Sequence, residues 1–400
     1  MSEAVLCGPL LDFGTTYWGS ALMREEHEGL WATGFVPTGH FGVGFFSVFM
    51  WGHRVRVSTR LYKQSQSRTR ILEFRTELHA HPLLRPAKDV EQLQDGGTRV
   101  RVWLTKAPEE KGGFLYSEGE GRAVDIGLLC SWLAPTLDVD LYVDGKDGSR
   151  CVVVASDWAT MDGAKLLARL SHGQIEPHMQ IFSPFLQLIK DSSEHYQGRA
   201  AIFYSPQALI TVGGFRASTS RLGLLGVLLG SGDRASRDAA MPLVDDDSLA
   251  EWASEQASLV AKGNFDPYHK LLCSNTVLEL QGDPGDLYVA KRGQVYVSHK
   301  DLARWKSVPN EVVLCPIDMA PFTFSDVSLF SHVLGLSPDS TSRSSEQRLY
   351  DLLERSIAQA WGCSAADIQI EIRENVEVGV LLDGNPAVSP RATILSKPTS

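Results

Sequence analysis

The stretch Gly39-His40-Phe41-Gly42-Val43-Gly44-Phe45-Phe46-Ser47 constrains this chain more than any other. Its three glycines stand directly before an apolar run, residues 43–51, which ends at Gly52. A run that is apolar on all sides predicts a buried helix. Glycines at a helix start let backbone approach a ligand closely. The unpaired N–H groups of the first turn, with the helix dipole, then favour an anion such as phosphate. The P-loop pattern is excluded, because no Gly-Lys-Ser/Thr follows. The dinucleotide fingerprint is excluded too, because no apolar strand precedes the stretch. The plain alternative is a tight turn into a core helix, with glycines that only permit close packing. The surroundings weigh against it. Gly14-Thr15-Thr16, Gly19-Ser20, Thr33-Gly34 and Thr38-Gly39 make the preceding loop rich in Gly, Thr and Ser, and Gly96-Gly97-Thr98 opens a later strand.

The chain has 400 residues, enough for two to three domains. Its net charge of −10 argues against a general nucleic-acid binder, which would carry a basic surplus. Six scattered cysteines, with no Cys-x-x-Cys, indicate neither a zinc site nor a disulfide framework, and a reducing, cytoplasmic setting is expected. No apolar run is long enough to cross a membrane, and the first residues lack the features of a signal peptide.

Gly39-x-Phe41-Gly42-Val43-Gly44-Phe45-Phe46-Ser47 resembles the second glycine motif of the GHKL ATPases, the superfamily of gyrase, chaperone, histidine kinase and mismatch-repair ATPases. It is closest to the motif of the ninety-kilodalton heat-shock chaperones. Gly97-Thr98 resembles their later Gly-Thr element, and residues 11–16 resemble the first part of their ATP lid. The resemblance covers about residues 1–145. It implies ATP as ligand, phosphates held by backbone amides around Gly39, His40, Phe41, Gly42, Val43, Gly44 and Phe45, adenine contact at Thr98, and Thr15 and Thr16 in the lid. The family's adenine-binding Asp-x-Gly-x-Gly is absent from this chain, as is the upstream helix carrying its catalytic Glu and Mg²⁺-binding Asn. The chain is therefore expected to be a GHKL protein without its front end: a fragment, a misplaced start, or a degenerate product.

The expected fold class is α+β: a truncated GHKL (Bergerat-type) α/β sandwich over residues 1–148, a mixed α/β middle-domain-like region over 149–262, and a C-terminal α/β region over 263–400. Residues 1–38 read as a short helix followed by the lid-like loop. Residues 54–63, 71–78 and 98–104 alternate as strands. Arg54, Arg56, Arg60, Lys63, Arg68, Arg70 and Arg75 make the first hairpin basic, and a solvated strand face is the preferred reading over nucleic-acid contact. His79 and His81 read as surface residues rather than metal ligands. Residues 123–137 read as an amphipathic helix, and 141–145 as a strand closed by a turn. Ser236-Arg237-Asp238 weakly resembles the chaperone middle-domain loop that puts an Arg on the γ-phosphate, with Asp in place of Glu. Arg237 is the first choice for that role and Arg234 the second, since a guanidinium can neutralise charge on a transferring phosphoryl group. An N-capped helix start near Ala239 is the competing reading. Asp245-Asp246-Asp247 reads as the cap of a helix over 248–260 rather than a cation site. Residues 287–290 and 294–297 read as a hairpin, 337–346 as a polar loop, 348–361 as an amphipathic helix, 368–372 as a strand, and the last dozen residues as frayed.

The leading expectation is an ATP-binding, chaperone-like GHKL ATPase that moves lid and domains and acts on a protein client or partner, a homodimer being compatible with the family. Without the adenine Asp and a Mg²⁺ ligand, ATP binding and hydrolysis are expected to be weak. The alternative is a degenerate, non-catalytic interaction module. A DNA-repair or topoisomerase-like ATPase is disfavoured by the acidic charge.

Overall fold

The computed structural model describes residues 1–33, 37, 39, 41–75, 81–119, 121–145, 148–232, 234, 238–316, 327–329, 332–337, 343–381 and 384–398. His40, His79 and Arg237 lie outside them. The architecture is α+β, and the chain divides into two compact units. The first comprises Met1–Ala155 with Val212–Ala217 and Gly232–Ala240. The second comprises Ser156–Thr211, Ser218–Ser231 and Met241–Ser400.

The first unit is built on a four-stranded antiparallel sheet. Its strands are β1 (Arg54–Arg60), β2 (Arg70–Phe74), β3 (Leu83–Pro86) and β4 (Gly97–Trp103), in the order β3-β2-β1-β4. Val57 sits opposite both Leu72 and Val100. Period-two alternation turns Val55, Val57, Leu72 and Phe74 to one face, where they bury with Leu6 of helix α1 (Glu3–Cys7). Ser2 starts α1, its Oγ accepting from the Val5 N–H at 3.2 Å.

The other face is charged. Glu73 contacts Arg56 at 2.6 Å and Arg85 at 3.1 Å, and Arg85 grips Glu91 through two nitrogens at 2.7 and 2.8 Å. Arg54 lies over the Trp103 ring, 4.2 Å from its centre. The basic hairpin is thus in part internally paired rather than simply solvated.

The run after the glycines differs from the expected buried helix. Gly44–Met50 forms a 3-10 helix with no fully buried residue, and Met50 and Trp51 are 82% and 53% exposed. Only Phe45, Val48 and Phe49 meet the sheet core, with Phe49 and Phe74 edge to face at 5.1 Å. Trp51 instead stacks on Phe114. One small sheet can cover only one flank of a helix, so the remaining apolar side chains find lateral aromatic partners.

The helix expected over 123–137 is shorter, Ile126–Leu133, capped by Asp125, and the expected strand at 141–145 pairs with Gly148–Val153. No helix starts at Ala239: Met241–Pro242 is a short strand against Leu224–Ser231.

In the second unit a smaller sheet orders strands Gln187–Lys190, Tyr196–Ile202, Leu224–Ser231 and Leu209–Val212, the last pair parallel. The helix Asp246–Lys262 begins at Asp245, whose carboxylate accepts from the Ser248 N–H at 2.8 Å, so the acidic triplet is a helix start. A seven-stranded sheet follows. The expected hairpin is there as Tyr288–Arg292 and Val295–Ser298. The helix Arg343–Trp361 begins earlier than expected, taking in residues assigned to the polar loop, and packs Leu349, Leu353 and Ile357 into the core. Residues 389–396, expected to fray, are part of a strand. Pro386–Ser396 is an internal strand between Glu311–Pro316 and Gln369–Leu381, burying Ala387, Ala392, Ile394 and Leu395. Its paired backbone and alternate buried side chains outweigh the Ser-Pro composition that reads as a loose end.

Candidate functional site

A cavity of about 620 Å³ lies in the first unit. It forms because two chain segments cross. Gly14 N–H reaches Gly42 O at 3.4 Å, and the Thr16 hydroxyl donates to Gly39 O at 3.0 Å. At Gly42, φ is +64° and an added Cβ would come within 2.2 Å of Thr15 O, so only glycine fits that crossing. Gly44 is different: an added Cβ there meets no atom within 4 Å.

Six expected site residues line the cavity: Thr15, Thr16, Gly39, Gly42, Gly44 and Phe45. Thr98 is not among the lining residues, but its neighbour Gly97 is. The Thr98 and Thr59 hydroxyls share a hydrogen bond of 2.8 Å, and Thr59 Oγ1 also accepts from the Met1 amino group at 2.6 Å. Phe41 and Val43 belong to the same stretch without lining the cavity. Arg234 is exposed and does not line it either.

The opposite wall was not anticipated residue by residue. Helix α2 (Ala21–Glu26) starts at Ser20, whose Oγ accepts from Met23 N–H at 3.1 Å, and Met23 is fully buried. This brings Glu26 and His27 to the cavity beside Tyr17 and Trp18. Tyr17 donates its hydroxyl to Glu26 Oε2 at 2.9 Å and packs edge to face on Trp18. Burial, then the Glu26 hydrogen bond and charge, push the Tyr17 phenol well above its ordinary range, so it remains a donor. The sequence signals were Ser20 ahead of an apolar helix turn and two adjacent aromatics in a loop, which must pack on something.

Arg60 is the cationic side chain of the wall. It is 6% exposed, and its guanidinium is held by carbonyls: Leu93 O at 3.1 Å, Gln94 O at 2.8 Å, and Gln64 O. It thereby fixes the loop after β1, which carries Leu61 and Tyr62 to the cavity. Among the described residues the lining combines a glycine edge, aromatic and aliphatic walls, one carboxylate, the tethered Arg60 guanidinium and Met1, the residue that carries the terminal amino group. That composition suits a small organic ligand with a flat ring and a polar end.

Glu26 is the only carboxylate among the lining residues described. Among the described residues, no group of three or more His, Cys, Asp or Glu is placed to hold a metal ion. No helix among the described residues is long and apolar enough to cross a membrane. The chain matches no known protein family model and no curated protein.

Proposed function

We propose that the chain binds ATP in the first-unit cavity, as a GHKL-type protein of the chaperone kind that acts on a protein partner. The observation that carries this reading is convergence. The glycine stretch and the Thr15-Thr16 loop, singled out separately in the sequence, cross and line one cavity with Gly97. Its volume of about 620 Å³ suits a nucleotide-sized ligand. In this reading backbone groups of Gly39, Gly42, Gly44 and Phe45 face the phosphates. The aromatic walls of Tyr17, Trp18 and Tyr62 hold the ring. ATP supplies the transferable phosphoryl group; the chain's residues position it and exclude water.

Mg²⁺ bound with a nucleotide takes one or two carboxylates beside the phosphates, and the described lining offers one, Glu26, which already accepts from the Tyr17 hydroxyl. The same observation favours a second reading, a nucleotide-dependent interaction module with little hydrolysis, since no free carboxylate among the described lining residues is placed as general base.

Calorimetric titration of the 400-residue chain with ATP tests the proposal. Saturable binding is expected, weakened by Gly44→Glu, which adds negative charge at a position where a Cβ meets no atom within 4 Å. Absence of binding to folded wild-type protein at millimolar ATP, or unchanged binding by Gly44→Glu, would overturn it.

A further inference from the structure

A second cavity, also of about 620 Å³, lies wholly within the second unit. One wall is the helix Arg343–Trp361. Arg348, Arg355 and Gln359 recur at intervals of seven and four, so they share a face, while Leu349, Leu353 and Ile357 bury into the core. The other wall is the turn that ends the helix Pro267–Glu279. Gln281 has φ of +65°, and Gly282 N–H closes the helix end on Val277 O at 2.9 Å. Asp283 follows, its Oδ1 accepting from Gly285 N–H at 2.9 Å. His299 completes the lining.

The polar groups here are under-used. Arg348 donates to Leu278 O at 3.0 Å and Glu279 O at 3.2 Å, which anchors it at the helix end. Arg355 donates through Nε to Asp351 O at 3.1 Å. Among the described residues, no carboxylate comes within ion-pair distance of either guanidinium. His299 Nε2 is shielded from solvent without a hydrogen bond, although Asp283 Oδ1 stands 3.4 Å away. Asp283 is an ion-pair neighbour of Nε2 when the imidazole is protonated, and the geometry leaves room for a better-directed partner. Among the described lining residues, two guanidinium groups stand against one carboxylate, in a chain of net charge −10.

We propose that this pocket binds a small ligand bearing a phosphate or carboxylate group. The anionic oxygens seat on Arg348 and Arg355, and a further polar atom of the ligand pairs with His299 Nε2. Guanidinium forks recognise both oxyanions, so the chemistry is shared between the two sources.

The test titrates the 400-residue protein with inorganic phosphate and, separately, with malonate, following the His299 imidazole nitrogens by NMR, with His299→Gln for assignment. A saturable shift is expected with at least one anion. Response to phosphate alone marks a phosphate-bearing ligand; response to malonate alone marks a carboxylate. Arg355→Gln should weaken binding about tenfold or more, the loss of one charge-assisted hydrogen bond. Arg355 is exposed, so this variant is expected to fold. Shifts that rise linearly with both anions, or an Arg355→Gln protein that binds like wild type, would overturn the proposal.

Discussion

Gly42 and Gly44 stand two residues apart and face opposite constraints. At Gly42 a methyl group would strike the Thr15 carbonyl and would also be forced to positive φ. Gly42→Ala should therefore destabilise the protein by more than about 1 kcal/mol in urea unfolding. At Gly44 nothing is met, and Gly44→Ala should stay within about 0.5 kcal/mol of wild type. Equal effects would remove the assignment of Gly42 to the crossing. Glu91 is firmly held: the Arg85 hydrogen bond, ahead of its other partners, holds its carboxyl at about 2. Burial would raise Glu73, but Arg85 and Arg56 outweigh it and hold that carboxyl low as well. A depressed carboxylate stabilises above its unfolded pKa, about 4.3 for Glu, and that contribution is lost as pH falls toward the folded value. Stability should therefore decline as pH drops from the ordinary carboxylate range toward about 2. Glu91→Gln should cost about 1.5–3 kcal/mol at neutral pH and flatten the decline. A variant whose acid profile overlays that of wild type would contradict the pairing.

Elements were legible wherever one periodicity decided them. The strand β1 and the Asp245 helix start follow from local rules, and the structure has both, although β1 buries both faces from Ser58 to Arg60. The run after the glycines departs from the expected buried helix because an apolar sequence says that side chains must be covered, not by what. Phe45 and Phe49 found the sheet, whereas Trp51 found Phe114 from a distant segment. The chain end was misread for the same reason. Ala392, Ile394 and Leu395 acquire their meaning only from strands at residues 311–316 and 369–381. Ile394→Ala should then cost about 2–5 kcal/mol in a denaturant melt, as for any buried aliphatic truncation. A change near zero would mean that this strand is dispensable. The glycine side of the cavity was visible in spacing. The Tyr17–Glu26 side was not, because it depends on helix α2 folding back on the loop.

At the scale of the molecule, a chain with net charge −10 places arginines at each of the two cavities of about 620 Å³. Arg60 is tied to carbonyls beside the first cavity, and Arg348 and Arg355 line the second. The two cavities make separable claims, one for a nucleotide and one for a small anion. The most direct measurement is photo-cross-linking of the 400-residue chain with an azido-ATP, followed by peptide mapping. The account predicts labelling that excess ATP suppresses, confined to peptides carrying Tyr17-Trp18, Gly39 to Phe45, or Leu61-Tyr62. Labelling that ATP does not compete, or that falls on the His299–Arg355 region instead, would contradict it.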